Sequence, residues 1–127
     1  MSRWKFKKLK VGQFKKLIIT INEKMFQKYM IVSGDFSFIH VKYKVVHGFL
    51  LGSLVSQVIG MSLPGASGML HSIRLDFRKP CYVGDTVIII CTVLQKIESL
   101  KEIILDIRIE KGGILLVTGQ AMVGINE

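Results

Sequence analysis

The sequence predicts an α+β domain in which an antiparallel five-stranded sheet wraps around one buried central helix. Three features lead there. Residues 47–61 are apolar or small at nearly every position, too uniform for a surface helix. Strand-like, β-branched segments follow one another after Gly68. One short strand and one amphipathic helix precede the apolar run. Successive strands joined by short turns pair antiparallel, and one face of such a sheet must be covered.

The elements follow in order. Leu17 to Ile21 is a short strand. Asn22 is a good N-cap for a helix from Glu23 to about Val32, with Met25, Phe26 and Tyr29 as its apolar stripe. Ser33-Gly34-Asp35 ends it, and His40 falls in a short connection rather than a regular element. His47-Gly48 opens the apolar helix, expected to be buried on all sides, and Ser62-Leu63-Pro64-Gly65 stops it near Met61. Met69, His71, Ile73, Leu75 and Phe77 then alternate with polar residues, which predicts a core face and a core histidine at His71. Thr86–Gln95, Glu102–Glu110 and Ile114–Gly124 complete the strands. Lys111-Gly112-Gly113 is a hairpin turn between the last two.

At 127 residues the chain is read as a single domain over 1–127 with one hydrophobic core. It is 50% apolar and 21% charged, with mean hydropathy +0.43. Such a balance points to further apolar burial, in a homodimer or higher homo-oligomer interface or in a lipid-like ligand tunnel. No membrane span is expected, because polar residues and glycines interrupt the longest apolar stretch, Val45 to Leu63. The N-terminus lacks the long apolar run of a secretory signal. Cys81 and Cys91, with no C-x-x-C spacing, suit a reduced, cytoplasmic setting as small core residues.

Net charge is +9, unevenly spread. Residues 1–16 hold seven of the 18 basic residues and no acid, whereas the other 111 hold 11 basic and nine acidic ones. A basic arm with Trp4, Phe6 and Phe14 interleaved could meet nucleic acid, an anionic membrane or coenzyme phosphates. The favoured expectation is a solvated, partly frayed first strand, with no nucleic acid as partner.

Ser33-Gly34-Asp35-Phe36-Ser37-Phe38-Ile39-His40 and the following Val46-His47-Gly48-Phe49 resemble the motif of the (R)-specific enoyl-CoA hydratases of the MaoC-like dehydratase family. That family carries Ser-Gly-Asp-x-Asn-Pro-x-His and then His-Gly at the start of its central helix. Leu9-Lys10-Val11-Gly12-Gln13, Ile21-Asn22-Glu23-Lys24-Met25, Leu63-Pro64-Gly65 and the stretch from Leu75 to Asp85 are similar to the family's flanking segments. The resemblance covers nearly the whole chain and implies a single hot-dog fold.

It also implies an activity: hydration of a trans-2-enoyl thioester to a 3-hydroxyacyl thioester, or the reverse. Such chemistry asks for a base to deprotonate water, an acid to protonate the α-carbon, and a donor for an enolate-like oxygen. By resemblance Asp35 and His40 are the catalytic pair and the Gly48 N–H is the oxyanion donor. Ser37, His47 and Ser56 are supporting or substrate-binding positions. Taken from the residues alone, Asp35 also suits a helix-terminating turn, and His47 a structural place at a helix start. No cofactor is implied beyond coenzyme A or an acyl carrier protein as the substrate's handle. No metal is expected either, since His40 and His47 lack ligand spacing with a Cys or carboxylate pair.

Two departures from the family pattern shape the expectations. Ser37-Phe38 stands where the family has Asn-Pro, so the turn loses proline's fixed φ. Only six residues, Val41 to Val46, separate His40 from His47, where the family has a longer segment overhanging the site. A more open acyl pocket follows, with Lys42 and Lys44 near its mouth. The alternatives are a weakened acyl-thioester-binding module and, less favoured, a thioesterase. Hot-dog thioesterases use a carboxylate on the central helix, and none lies between Val45 and Met61.

Overall fold

In the computed structural model, which describes Met1 to Glu127, five strands form one antiparallel sheet. They are β1 (Phe14–Thr20), β2 (Gly68–Phe77), β3 (Thr86–Ile97), β4 (Glu102–Lys111) and β5 (Ile114–Ile125), in the order β1-β3-β4-β5-β2. The helices are α1 (Glu23–Ser33), α2 (Phe38–Tyr43) and α3 (Gly48–Met61). Gly112 and Gly113 both take positive φ, 53° and 80°, which is what a two-residue β4–β5 hairpin turn requires.

The core lies between the sheet and α3. Ile103, Leu105, Ile107 and Ile109 of β4 are all 0% exposed, with Val87, Ile89 and Cys91 of β3 equally buried. Against them α3 sets Leu50, Leu51, Leu54, Val55, Val58 and Ile59. Each side chain so buried contributes about 1.5–3 kcal/mol, so this contact dominates the fold's stabilisation. Asn22 caps α1 as expected, its side chain accepting from the Met25 N–H at 2.8 Å. Gly34 closes that helix in the left-handed conformation.

Three expectations need correction. α3 is not buried on all sides: Phe49 is 77% exposed, and Ser53, Ser56, Gln57 and Met61 share its open stripe, because one sheet covers only one side of a helix. β2 lies at the sheet edge, where α3 meets it only through Gly48 against Phe77 and Gly52 against Leu75, so Ile73 and Phe77 stay partly exposed where a core face was predicted. His71 is accordingly no core histidine. A bulge between Leu70 and Ser72 turns it over Gly124, where its Nδ1 meets the buried Glu102 carboxylate at 2.8 Å.

The N-terminal arm is also ordered rather than frayed. Phe6 and Leu9 are each 1% exposed, and a short 3₁₀ turn over Phe6–Lys8 joins them. Ser2 N–H donates to Met61 C=O, Trp4 N–H to Pro64 C=O, and Phe6 N–H to the Glu127 carboxylate. Gly65, at φ 79°, must be glycine because a Cβ there would sit 2.0 Å from the Ser2 carbonyl oxygen. Strand β1 begins three residues before the predicted Leu17, and only after this anchored segment.

Phe6→Ala should therefore cost about 3–5 kcal/mol, as for a buried phenylalanine, rather than the few tenths expected of a frayed end. A urea midpoint unchanged by that substitution would show that the arm carries no core.

Candidate active site

Gly34 ends α1 and turns the chain so that Asp35 begins a short connection to α2. Asp35 is anchored at both ends: its N–H donates to Ser33 Oγ at 3.1 Å, and its Oδ1 accepts the Ser37 N–H at 3.0 Å. That backbone donor, helped by the nearby imidazoles, holds the Asp35 carboxyl below the usual carboxylate range. The group is thus ionised throughout neutral pH and gains a proton only as pH falls past its lowered value.

His40 lies on α2, not in an irregular connection. Six residues without an apolar period gave no sign of a helix, yet Ser37 C=O accepts from both the His40 and Val41 N–H groups. Ser37 starts α2 without capping it by its side chain, and its N–H and hydroxyl both act on the Asp35 carboxyl. The chain reverses at Lys44, in the left-handed conformation at φ 58°. That brings the Val45 carbonyl to 2.6 Å from His40 Nδ1. A carbonyl only accepts, so Nδ1 carries a proton, and in the neutral imidazole Nε2 presents its lone pair. Nε2 stands 3.4 Å from Asp35 Oδ2.

His47, immediately before α3, completes the cluster. It is 3% exposed, packs against the rings of Phe26 and Tyr29, and donates from Nε2 to the Asp35 carbonyl at 3.0 Å. Its ring stacks on His40 with centroids 3.7 Å apart and planes 17° from parallel. His47 thus backs His40 and fixes the Asp35 backbone. Its Nδ1 is buried without a hydrogen-bond partner.

Contrary to the spacing argument, Asp35, His40 and His47 do bring donor atoms within 4.8 Å of one another. His47 Nε2 is, however, engaged by the Asp35 carbonyl and His40 Nδ1 by that of Val45, and the in-plane lone pairs of the two rings lie in separate, near-parallel planes.

Beside the dyad lies a cavity of about 330 Å³ shared by His40, Val45, Val46, Gly48, Leu51 and the segment Phe77–Cys81. It ends on the first residue of α3, where no side chain caps the helix. The positive end of α3 therefore faces the cavity. A Cβ on Gly48 would meet the Phe77 ring at 2.9 Å, so glycine keeps this wall clear. Ser56, two turns along α3, is on the open stripe and does not line this cavity. Arg78 and Lys79, which the motif reading passed over, do line it and make its rim cationic. Their sign of it was their place next to Pro80 in the strand exit.

The Asp35 side chain is open to solvent, whereas that of His40 is mostly covered. Phe36, Phe38, Ile39, Val41 and Tyr43 are each about half exposed or more, an apolar collar open to solvent.

A five-stranded sheet around a central helix, with an acid–base pair at the helix entry, defines a hot-dog protein of the hydratase type. No protein-family model matches the chain. It is 32% identical to an (R)-specific enoyl-CoA hydratase from Aeromonas caviae over 126 residues, covering 91% of this chain and 94% of that protein. A second (R)-specific enoyl-CoA hydratase, from Rhodospirillum rubrum, is 28% identical over 93% of the chain and 89% of its own length. Among solved structures, an R-hydratase from Pseudomonas aeruginosa in its unliganded form superposes with TM-score 0.89 at 28% identity, covering 96% of this chain and 85% of that one. A hot-dog-like protein from Thermanaerovibrio acidaminovorans shares the fold alone, at TM-score 0.70 and 10% identity over 91% of this chain and 82% of that one. The chain belongs to the (R)-specific enoyl-CoA hydratase family, a family of hydratase and dehydratase enzymes.

Cys81 borders the cavity and Cys91 lies in the core; burial pushes both thiols up to about 12. Near neutral pH both stay protonated, so the native protein should resist a thiol-specific disulfide reagent while the urea-unfolded chain titrates both groups. Fast labelling of the native form would contradict the burial of Cys81.

Proposed function

We propose that the chain hydrates trans-2-enoyl thioesters to (R)-3-hydroxyacyl thioesters, and catalyses the reverse dehydration. One observation carries the mechanism: Asp35 Oδ2 and His40 Nε2 lie 3.4 Å apart and both are acceptors, given an ionised carboxylate and a tautomer set by Val45. Two acceptors cannot bond each other. They can share one donor with two O–H groups, which is a water molecule.

In this mechanism the water oxygen attacks C3 of the enoyl group while the dyad takes one of its protons. An imidazolium formed at His40 is stabilised by the Asp35 charge beside it. The electron pair moves onto the thioester oxygen, at the uncapped start of α3 where the Gly48 N–H donates. The dyad then returns its proton to C2, restoring the thioester. Oxygen and proton arrive from the same dyad, so both add to one face of the double bond. The handle is coenzyme A or an acyl carrier protein, and the cationic rim at Arg78 and Lys79 suits either.

We also infer a homodimer. β2 has a free edge and leaves Ile73 and Phe77 partly exposed, and the open stripe of α3 needs a partner on the same side. A second copy joined along β2 would cover both. A single sedimenting species of 14.3 kDa at micromolar concentration would contradict it.

Crotonyl-CoA loses its enoyl absorbance on hydration. Asp35→Asn and His40→Ala should each lower kcat by about 10²–10⁴-fold, the usual range for a positioned acid or base. Wild-type turnover in either variant would remove that residue from the mechanism. Because the Asp35 pKa is depressed, activity lost as pH falls through the range above ordinary carboxylate titration cannot come from protonating Asp35. Asp35→Glu, lacking the same fit to the Ser37 N–H, should move its ionisation upward.

A further inference from the structure

The N-terminal arm is a fixed platform whose charges have no partner. Its backbone is tied to the far end of α3 through Met61, Pro64 and Ala66, the last donating to Ser2 C=O at 2.7 Å, and Ser67 Oγ donates to Trp4 C=O. Arg3, Lys5, Lys8 and Lys10 rim one depression with Trp4, which is 37% exposed. None of the seven cations in residues 1–16 joins any salt bridge of the protein. Glu127 shares a second, smaller depression with Arg3, Trp4 and Lys5, but its carboxylate accepts from the Phe6 N–H and forms no ion pair with either cation. Clustered like charges repel, and holding four of them rigidly around an aromatic ring opposes stability unless an anion fills the gap.

We propose that this platform binds the phosphorylated adenosine end of a coenzyme A thioester, and that one protomer offers it to the catalytic dyad of the other. The proposal rests on the hydratase reading and on the homodimer. Multiple phosphates and a purine match four cations and an exposed indole face. All four cations meet at one depression beside Trp4 instead of forming a track, which favours one nucleotide over a nucleic-acid strand.

The geometry explains why the site crosses between protomers. α3 rises about 20 Å from Gly48 to Met61, so the platform and the dyad of one chain stand at opposite ends of the helix. A two-fold axis normal to the sheet, as pairing along β2 requires, reverses α3. The Met61 end of one helix then runs beside the Gly48 end of the other, with axes roughly 8–10 Å apart. An extended pantetheine arm, 13 bonds long and akin to about four residues of extended chain, spans roughly 15 Å and bridges that gap.

Trp4 is the only tryptophan, so binding has a direct optical readout. Adenosine 3′,5′-bisphosphate should quench its fluorescence saturably, and the triple variant Lys5→Ala, Lys8→Ala, Lys10→Ala should abolish saturation. The same variant should raise KM for crotonyl-CoA roughly tenfold but not KM for the N-acetylcysteamine thioester, which has no nucleotide. A mixed dimer of this variant with Asp35→Asn should regain the wild-type KM, since an intact arm then faces an intact dyad.

Absence of quenching, an equal KM rise for both thioesters, or tighter binding of a single-stranded oligonucleotide than of the bisphosphate would overturn the proposal. A mixed dimer without recovery would overturn its placement between protomers. The titration needs no turnover: quenching in a protein inert toward every enoyl thioester would sink the hydratase reading instead, and activity without quenching would sink only this one.

Discussion

Six aliphatic side chains of α3 press that helix against the sheet, and the site is arranged around where its first residue comes to rest. The seat fixes Gly48, and with it the positive end of the helix. His47 precedes it directly and is pulled into the space between α3 and α1, where Phe26 and Tyr29 hold its ring. From there it reaches the Asp35 carbonyl and supports the His40 ring. The Asp35–His40 pair is thus positioned by contact with a helix that carries neither of its members.

Within that frame one hydrogen bond decides which His40 nitrogen faces Asp35. The Val45 carbonyl sets the tautomer of His40, and Val45 is itself held by pairing with Tyr82 in the loop after β2. Val46 adds a bond from its N–H to the Cys81 carbonyl at 2.7 Å. The short link between α2 and α3, Lys44 to His47, therefore does the work of a brace: four residues lack the length for a roof but suffice to aim an imidazole.

Much of this was legible in the sequence because it rests on local rules. Asn22, Gly34, Pro64 and the Gly112-Gly113 pair are punctuation whose meaning depends on a few neighbouring atoms, and the elements they bound came out within a few residues. The pairing of Asp35 with His40 came from a family motif. His47 as the residue that fixes Asp35 and backs His40 did not, because that role exists only once α1 and α3 meet. The misread parts share one cause. The face of β2, the sides of α3 and the place of His71 all depend on which element stops where, and period alone assigns a burial face without saying what covers it. The arm was misjudged by its charge: Phe6 and Leu9, two apolar residues among lysines, decided its fate by reaching the core.

The open collar of Phe36, Phe38, Ile39, Val41 and Tyr43 bears on substrate discrimination. An enclosed site rejects an acyl chain by colliding with it, so selection grows steeper as the walls close. Here the dyad has a floor at Gly48 and one wall at Phe77, and the Asp35 side chain is open to solvent. Under the proposed hydratase reading, an acyl chain laid on this collar would be selected by the apolar surface it buries, a graded preference of about 0.8 kcal/mol per methylene.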